Sequence, residues 1–228
     1  MTAGRTGLRE QKKQATRQAL REAALRLALE RGPDNVRVDD IADAAGVSPR
    51  TYNNYFSSRE QAIVAAVTAE RESRVAAAIA ARPDGVRLAD AVVDAIVEQY
   101  TDPDAQDGDA LLLITTRPAL REAFVDAAAA IEHPLTDAIA GRLGDADRDT
   151  ARVLAASVAA AVRVAVDRWV GRTAAASPVA GGLVVPSGSL PDLLRAALAP
   201  LAPALDAAER RAAPARHDPG RIQPETFA

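Results

Sequence analysis

In the first thirty residues the apolar positions fall at Leu20, Ala23, Ala24, Leu27 and Ala28, one face of a helix, while Lys12, Lys13, Arg17 and Arg21 crowd its beginning. The pattern predicts a helix over residues 9–31, preceded by a basic, irregular arm over residues 1–8 and stopped by Gly32-Pro33. A second, shorter stripe at Ile41, Ala42 and Ala45 runs into Gly46, where a helix C-terminus takes a left-handed residue. Val47 then plugs the corner, Ser48 is a good N-cap, and Pro49 sits at a first helical position that needs no N–H. In the helix that follows, Tyr52 and Phe56 are four apart and face inward. Arg50, Thr51, Asn53 beside Asn54, and Tyr55 are left on the other sides, with side chains suited to base edges and phosphates. Residues 36–56 therefore read as a helix-turn-helix whose second helix meets DNA.

Downstream the period stays helical. Ser57 or Ser58 caps a helix carrying Ile63, Val64 and Val67 to about residue 82, broken by Pro83-Asp84-Gly85. Leu88, Val92, Ile96 and Tyr100 repeat at four, an acidic loop spans residues 102–109, and a short helix covers residues 111–116. Pro118 opens another helix, expected to kink at Pro134 and to end near Leu143 at Gly144. A long helix is expected over residues 146–172, with Val153, Leu154, Val158, Val162, Val166 and Trp169 available for burial. A loop over residues 173–188 precedes a last helix over residues 190–211, interrupted at Pro200 and Pro203. Strand-like alternation is confined to residues 183–185, so the fold class is all-α: an N-terminal three-helix unit and a C-terminal helical bundle. The expected divisions are residues 1–57, residues 58–212 and a disordered tail over residues 213–228.

Composition sharpens this picture. The 228 residues are 48% apolar, much of it alanine, the strongest helix former. The net charge of −3 looks wrong for a DNA binder until it is divided along the chain. Residues 1–59 hold 11 Lys or Arg against 7 Asp or Glu, and the remainder hold 17 against 24, so one end is presented to phosphates and the other kept off them. With no cysteine, disulfides, thiolate metal sites and thiol redox sensing are excluded. No apolar signal segment and no run of about 18 apolar residues is found, so the expectation is a soluble cytoplasmic protein without membrane contact.

At Ile41, Ala42, Ala45, Gly46, Val47, Ser48, Tyr55, Phe56, Ser58, Arg59 and Glu60 the chain resembles the TetR family of bacterial transcriptional regulators. Two departures stand out: Arg59 replaces the usual lysine, and Arg37 replaces a Ser or Thr cap while remaining able to reach a phosphate. Relatives often carry tyrosine where this chain has Asn53, and an asparagine can pair bidentately with adenine. A weaker similarity, RPALREAFV followed by the DRW around Trp169, resembles the mycofactocin-regulator-like branch, whose C-terminal domains are associated with acyl-CoA-like ligands. The resemblance implies a homodimeric regulator, acting as a repressor on a palindromic operator and released by a small apolar or acyl-type effector. Lys12, Arg17, Arg37, Ser48, Pro49, Arg50, Thr51, Asn53, Asn54, Tyr55 and Arg59 are the candidate contacts to double-stranded DNA. Tyr100, Leu112, Leu113, Thr116, Phe124 and Trp169 belong to helices that form the effector cavity in relatives.

Other chemistry finds little support. His133 and His217 cannot build a multi-histidine metal site, and the acidic run at Asp102, Asp104, Asp107 and Asp109 lacks the glycine and terminal glutamate of a calcium loop. Gly181-Gly182 follows no strand and has no Gly-Lys-Ser continuation, and no Gly-x-Ser-x-Gly elbow occurs, so no cofactor or metal is expected and an enzyme is the weakest reading. No buried cationic cluster is apparent, which favours an apolar effector over a highly polar one. A DNA-binding regulator without any small ligand is the remaining alternative, separable by whether a ligand weakens operator binding.

Overall fold

The computed structural model describes residues 3–101, 108–144, 147–175 and 189–212, and among these every regular element is a helix. They run α1 (Ala3–Arg31), α2 (Val38–Ala44), α3 (Pro49–Tyr52), α4 (Arg59–Ala81), α5 (Leu88–Thr101), α6 (Gly108–Thr116), α7 (Pro118–Ala127), α8 (Glu132–Leu143), α9 (Arg148–Ala175), α10 (Leu190–Leu198) and α11 (Ala202–Ala212). Single 3₁₀ turns sit at Pro33–Asn35, Ala128–Ile131 and Ala199–Leu201.

Five boundaries differ from the sequence reading, the first being α3, which ends at Tyr52 and does not reach Phe56. Helix α1 starts at Ala3, so the arm expected to be irregular over residues 1–8 is helical from residue 3. Its Arg, Leu, Glu, Gln and Lys content outweighs Gly4 and Gly7. Helix α6 starts at Gly108, placing Asp109 in a helix, and α9 continues to Ala175. The expected kink at Pro134 falls earlier, as the 3₁₀ turn at Ala128–Ile131 that separates α7 from α8. Proline has no N–H to offer the carbonyl four residues back and its ring crowds that carbonyl, so the ladder is reset in the preceding turn. The rest of the acidic stretch, residues 102–107, the loop over 176–188, His217 and the tail over 213–228 lie outside the described residues.

Helix α4 organises the whole. It packs on α1 at one side and on α5, α7 and α8 at the other, and α9 closes the bundle against α8 and α10. Leu20, Ala24, Leu27, Ile41, Tyr52 and Ile63 form one end of a core that continues through Val75, Ile96 and Leu135 to Val162 and Leu194. Much of it is alanine: Ala91, Ala95, Ala151 and Ala155 are fully buried. An alanine brings little apolar area but lets helix backbones approach closely, and the stabilisation comes from dense contacts between them.

A buried arginine locks the far end of α4. Arg142 of α8 donates from Nη1 to the carbonyls of Arg82 (2.9 Å) and Pro83 (3.2 Å) and from Nη2 to that of Val86, so the α4–α5 turn is held by one guanidinium. Glu209 of α11 lies 3.7 Å from the same group and accepts the first amide of α5, Leu88 N–H, at 3.0 Å.

Candidate functional site

The turn between α2 and α3 is built from backbone bonds that the sequence specifies. Gly46 has φ +70°, Val47 N–H donates to the Ala42 carbonyl at 2.9 Å and Gly46 N–H to that of Asp43 at 3.0 Å, the paired bonds of a Schellman close. Ser48 then caps α3 by accepting from Thr51 N–H at 3.1 Å, its hydroxyl 2.9 Å from that of Thr51, and Pro49 occupies the first helical turn. At the other end of the unit Arg37 leaves α2 without a side-chain cap, but Asp40 reaches back and accepts the Arg37 N–H at 2.9 Å. The Arg37 side chain is exposed.

Helix α3 is a single turn, after which residues 53–55 tighten into 3₁₀-like bonds such as Tyr55 N–H to the Tyr52 carbonyl at 2.8 Å. Tyr52 and Phe56 are buried with ring centroids 5.8 Å apart, and the Tyr52 hydroxyl donates to the Ser58 carbonyl at 2.7 Å. Burial, with a smaller push from Glu60, raises the Tyr52 phenol well above its ordinary value, so it stays a neutral donor. Ser58 in turn caps α4 by accepting from Gln61 N–H at 3.1 Å. The anchored face fixes the opposite one: Arg50, Asn53 and Asn54 are exposed together with Ser48 and Pro49, and Thr51 and Tyr55 are half-buried beside them. Lys12 and Arg17 are exposed on α1, and the Arg17 guanidinium lies 5.5 Å from the centre of the Phe56 ring.

Arg59 behaves differently from the rest of the candidate DNA contacts. Its Nη1 donates to the carbonyls of Asp34 (3.2 Å) and Val36 (2.9 Å), and its Nε to Glu60 Oε1 at 2.7 Å. The guanidinium thus ties the start of α4 to the connection ahead of α2. The carboxylate of the same Asp34 takes Arg117, at the α6–α7 corner, at 2.8 Å. A hydroxyl-poor, charged segment gave no sequence signal for either contact, since the partners are 25 and 83 positions apart.

In the C-terminal half, a small cavity with room of about 10 Å³, about one water, lies between α4, α5, α7 and α9. Tyr100 and Phe124, two of the candidate ligand residues, line it along with Arg71, Ala128, Ile131 and Val166. The other four do not. Leu112 is 62% exposed, Thr116 is exposed with its hydroxyl donating to the Leu112 carbonyl at 2.8 Å, and Leu113 and Trp169 are partly buried against the core. A single buried cation that the sequence reading did not identify faces this region: Arg71 is only 5% exposed, its guanidinium carbon 4.5 Å from the Tyr100 ring centre and 5.9 Å from that of Phe124. The sequence around Arg71, Glu-Arg-Glu-Ser-Arg, carries no local sign that α5 and α7 pack against this stretch of α4. Burial pushes the Tyr100 phenol up to about 12, partly offset by the neighbouring Arg71. Burial likewise raises the Glu72 carboxyl, against the pull of Arg17 and Arg21.

Among the described residues no group of three or more His, Cys, Asp or Glu could hold a metal ion, and no helix is long and apolar enough to cross a membrane.

A capped two-helix corner that presents Arg50, Asn53 and Asn54 from an anchored turn, joined by one long helix to a second bundle, defines a helix-turn-helix DNA-binding regulator. Residues 20–66 match the bacterial regulatory proteins of the tetR family, and residues 83–206 match the MftR C-terminal domain. The chain belongs to the TetR family of bacterial transcriptional regulators, whose members bind DNA and are not enzymes. It is 30% identical over 174 residues to the HTH-type transcriptional regulator TcmR of Streptomyces glaucescens, covering 72% of this chain and 76% of that protein. A crystal structure of Thermus thermophilus FadR, a TetR-family transcriptional repressor in complex with lauroyl-CoA, covers 93% of this chain and 100% of its own at 20% identity, with a TM-score of 0.42.

Proposed function

We propose that the protein is a dimeric repressor that reads a two-fold operator through α3 and releases it when a small apolar or amphipathic effector enters the bundle. The observation that carries the reading is the anchored row of Arg50, Asn53 and Asn54, backed by buried Tyr52 and Phe56. Asn53 and Arg50 have the donor and acceptor sets that read adenine and guanine edges in the major groove. Lys12, Arg17, Arg37, Ser48, Pro49, Thr51, Asn54 and Tyr55 surround them as backbone-positioning contacts. Residues 1–57 serve as the reading head and residues 58–212 as the sensing and dimerising part, with α4 in both cores. The site of action is the cytoplasm, on the nucleoid.

Two reading heads must be held about 34 Å apart to enter successive major grooves on one face of DNA, so the function requires a dimer. Helix α9 supplies a suitable surface: Val153, Ala160 and Val164 are exposed on one stripe, with the two valines 66% and 54% exposed. Small and β-branched side chains of this kind allow close helix pairing across a two-fold axis. Coupling to DNA follows α4 and the Asp34–Arg117 contact, which join the cavity walls to the reading head. An effector that prefers the DNA-incompetent state ~100-fold shifts the equilibrium by about 2.7 kcal/mol, and operator DNA weakens effector binding by the same factor.

The test uses a duplex selected from a random pool by binding to the full chain. Val164→Glu, a change at an exposed position, is expected to give a monomer by light scattering and to lose high affinity for the two-fold duplex. A variant that remains dimeric moves the interface away from α9. A wild-type monomer that still binds the duplex tightly refutes the dimeric reading.

A further inference from the structure

We infer that the cavity between α4, α5, α7 and α9 selects a compact monocarboxylate, whose carboxylate pairs with Arg71 and whose hydrocarbon or aryl tail lies against Tyr100, Phe124 and Ile131. The inference rests on the proposed sensing role of this bundle and names the class of its effector.

The guanidinium is placed where a structural arginine would be costly. Arg71 is 95% removed from solvent, faces the cavity, and its Nε is buried with no hydrogen-bond partner among the described residues. Its surroundings are two aromatic faces and aliphatic walls. Burial disfavours its charge most and the adjacent cation Arg74 adds to that; the Tyr100 hydroxyl is the polar group that answers it, and no ion pair of Arg71 with a carboxylate occurs among the described residues. Burying a charge without a counter-ion is strongly unfavourable, and the aromatic faces return only part of that cost. A planar carboxylate supplies what is missing: two acceptors matched to the fork of the guanidinium, and a single negative charge. Phe124, Ala127, Ala128, Ile131 and Val166 offer an apolar tail its contacts, and Thr68 and Glu72 are the other polar groups on the wall. Tyr100 stays a neutral phenol at physiological pH, so it adds a hydroxyl and no competing charge.

Size and charge narrow the class further. The cavity as it stands has room of only about 10 Å³, about one water, so a ligand must part α4 from its neighbours to enter, and a compact one asks for the least opening. Glu72, also on the cavity wall, disfavours a second negative charge on the ligand, and α1 answers it with Arg17 and Arg21. A dianion therefore gains nothing over a monoanion. Because Arg71 and Glu72 are consecutive on α4, filling the site acts on the helix that carries the reading head.

Octanoate and 3-phenylpropionate, with octanamide and 3-phenylpropanamide as neutral isosteres, are the probes. Binding to the full-length protein is measured by calorimetry and thermal shift, and operator release by fluorescence anisotropy. At least one carboxylate is expected to bind at least ~tenfold more tightly than its amide, because only the charged ligand neutralises the guanidinium. Arg71→Gln is expected to remove that preference with the helical circular dichroism intact. Arg71→Lys, which keeps the charge but loses the fork, is expected to retain part of it. Equal binding of acid and amide to the wild type, undiminished carboxylate preference in Arg71→Gln, or no binding of either carboxylate overturns the inference. If the amides bind equally and release operator, the sensing role stands and the assignment of class falls. If carboxylates bind through Arg71 without changing operator affinity, the site is as inferred and the release mechanism proposed above fails.

Discussion

Arg59→Ala separates two roles that the same cation could play at the start of α4. A phosphate contact would leave stability unchanged, whereas a clasp would not. In the structure Nη1 bridges the carbonyls of Asp34 and Val36, and Nε holds Glu60. Hydrogen bonds to a charged group contribute about 1.5 to 3 kcal/mol each, but Asp34 is exposed and water replaces its lost donor. Val36 is fully buried, so its carbonyl is poorly resolvated, and the net loss is about one such bond, ~2 kcal/mol. For a chain of this length that lowers Tm by roughly 4 to 8 °C. Urea unfolding followed by circular dichroism measures the loss at constant m-value. A salt titration of operator binding in the same variant measures the counter-ions released. The clasp predicts lower stability with an unchanged salt slope. Stability within about 0.5 kcal/mol of wild type, together with a slope shallower by about one, would return Arg59 to the phosphate backbone.

Asn53→Ala should cost about 1 to 3 kcal/mol at the selected duplex and little at random DNA, and equal losses on both in parallel anisotropy titrations would make Asn53 a backbone contact. Gly46→Ala should destabilise by about 1 to 2 kcal/mol through the left-handed backbone alone, because a Cβ there meets nothing within 4 Å. Gly46→Asn should cost less, and equal losses in thermal denaturation would point to a steric cause. Burial raises the Glu60 carboxyl, but hydrogen bonds from Arg59, its own amide and Ser58 bring it below 4.5. Its contribution is therefore present above the unfolded carboxylate range and fades as pH falls through the lower folded value. Glu60→Gln should flatten the acid limb of a stability profile taken between about pH 5 and pH 2, and an unchanged limb would rule out this contribution.

The reading head was legible because its determinants are local. Gly46, Ser48 and Pro49 each act within four residues, and the Tyr52–Phe56 pair needs only helical spacing to become an anchor. The C-terminal bundle was legible only as helices. Arg59, Arg71 and Arg142 look alike in sequence, yet one ties a connection, one faces a cavity and one holds a turn, each through residues distant along the chain. Alanine adds to the difficulty, since it is as much at home on a surface as inside and does not mark which helix face is covered. That is why Leu112 and Trp169 could be nominated for the cavity while Val166, one turn before Trp169, lines it.

Synthesis order gives the Arg142 clasp a further meaning. The ribosome delivers Arg142 well before Glu209, so the cation that holds the α4–α5 turn emerges without its counter-ion, and the first amide of α5 without its acceptor. Domains generally fold from the N-terminus as they are made, and the packing of α1, α2 and α3 on one another and on α4 is available once α4 has emerged, leaving the α1–α6 packing and the Asp34–Arg117 pair for later. The second bundle has no such freedom: α11, the last described helix, carries the carboxylate that satisfies both groups. A nascent chain can thus complete its helix-turn-helix before the second bundle, whose closure waits until α11 has been made.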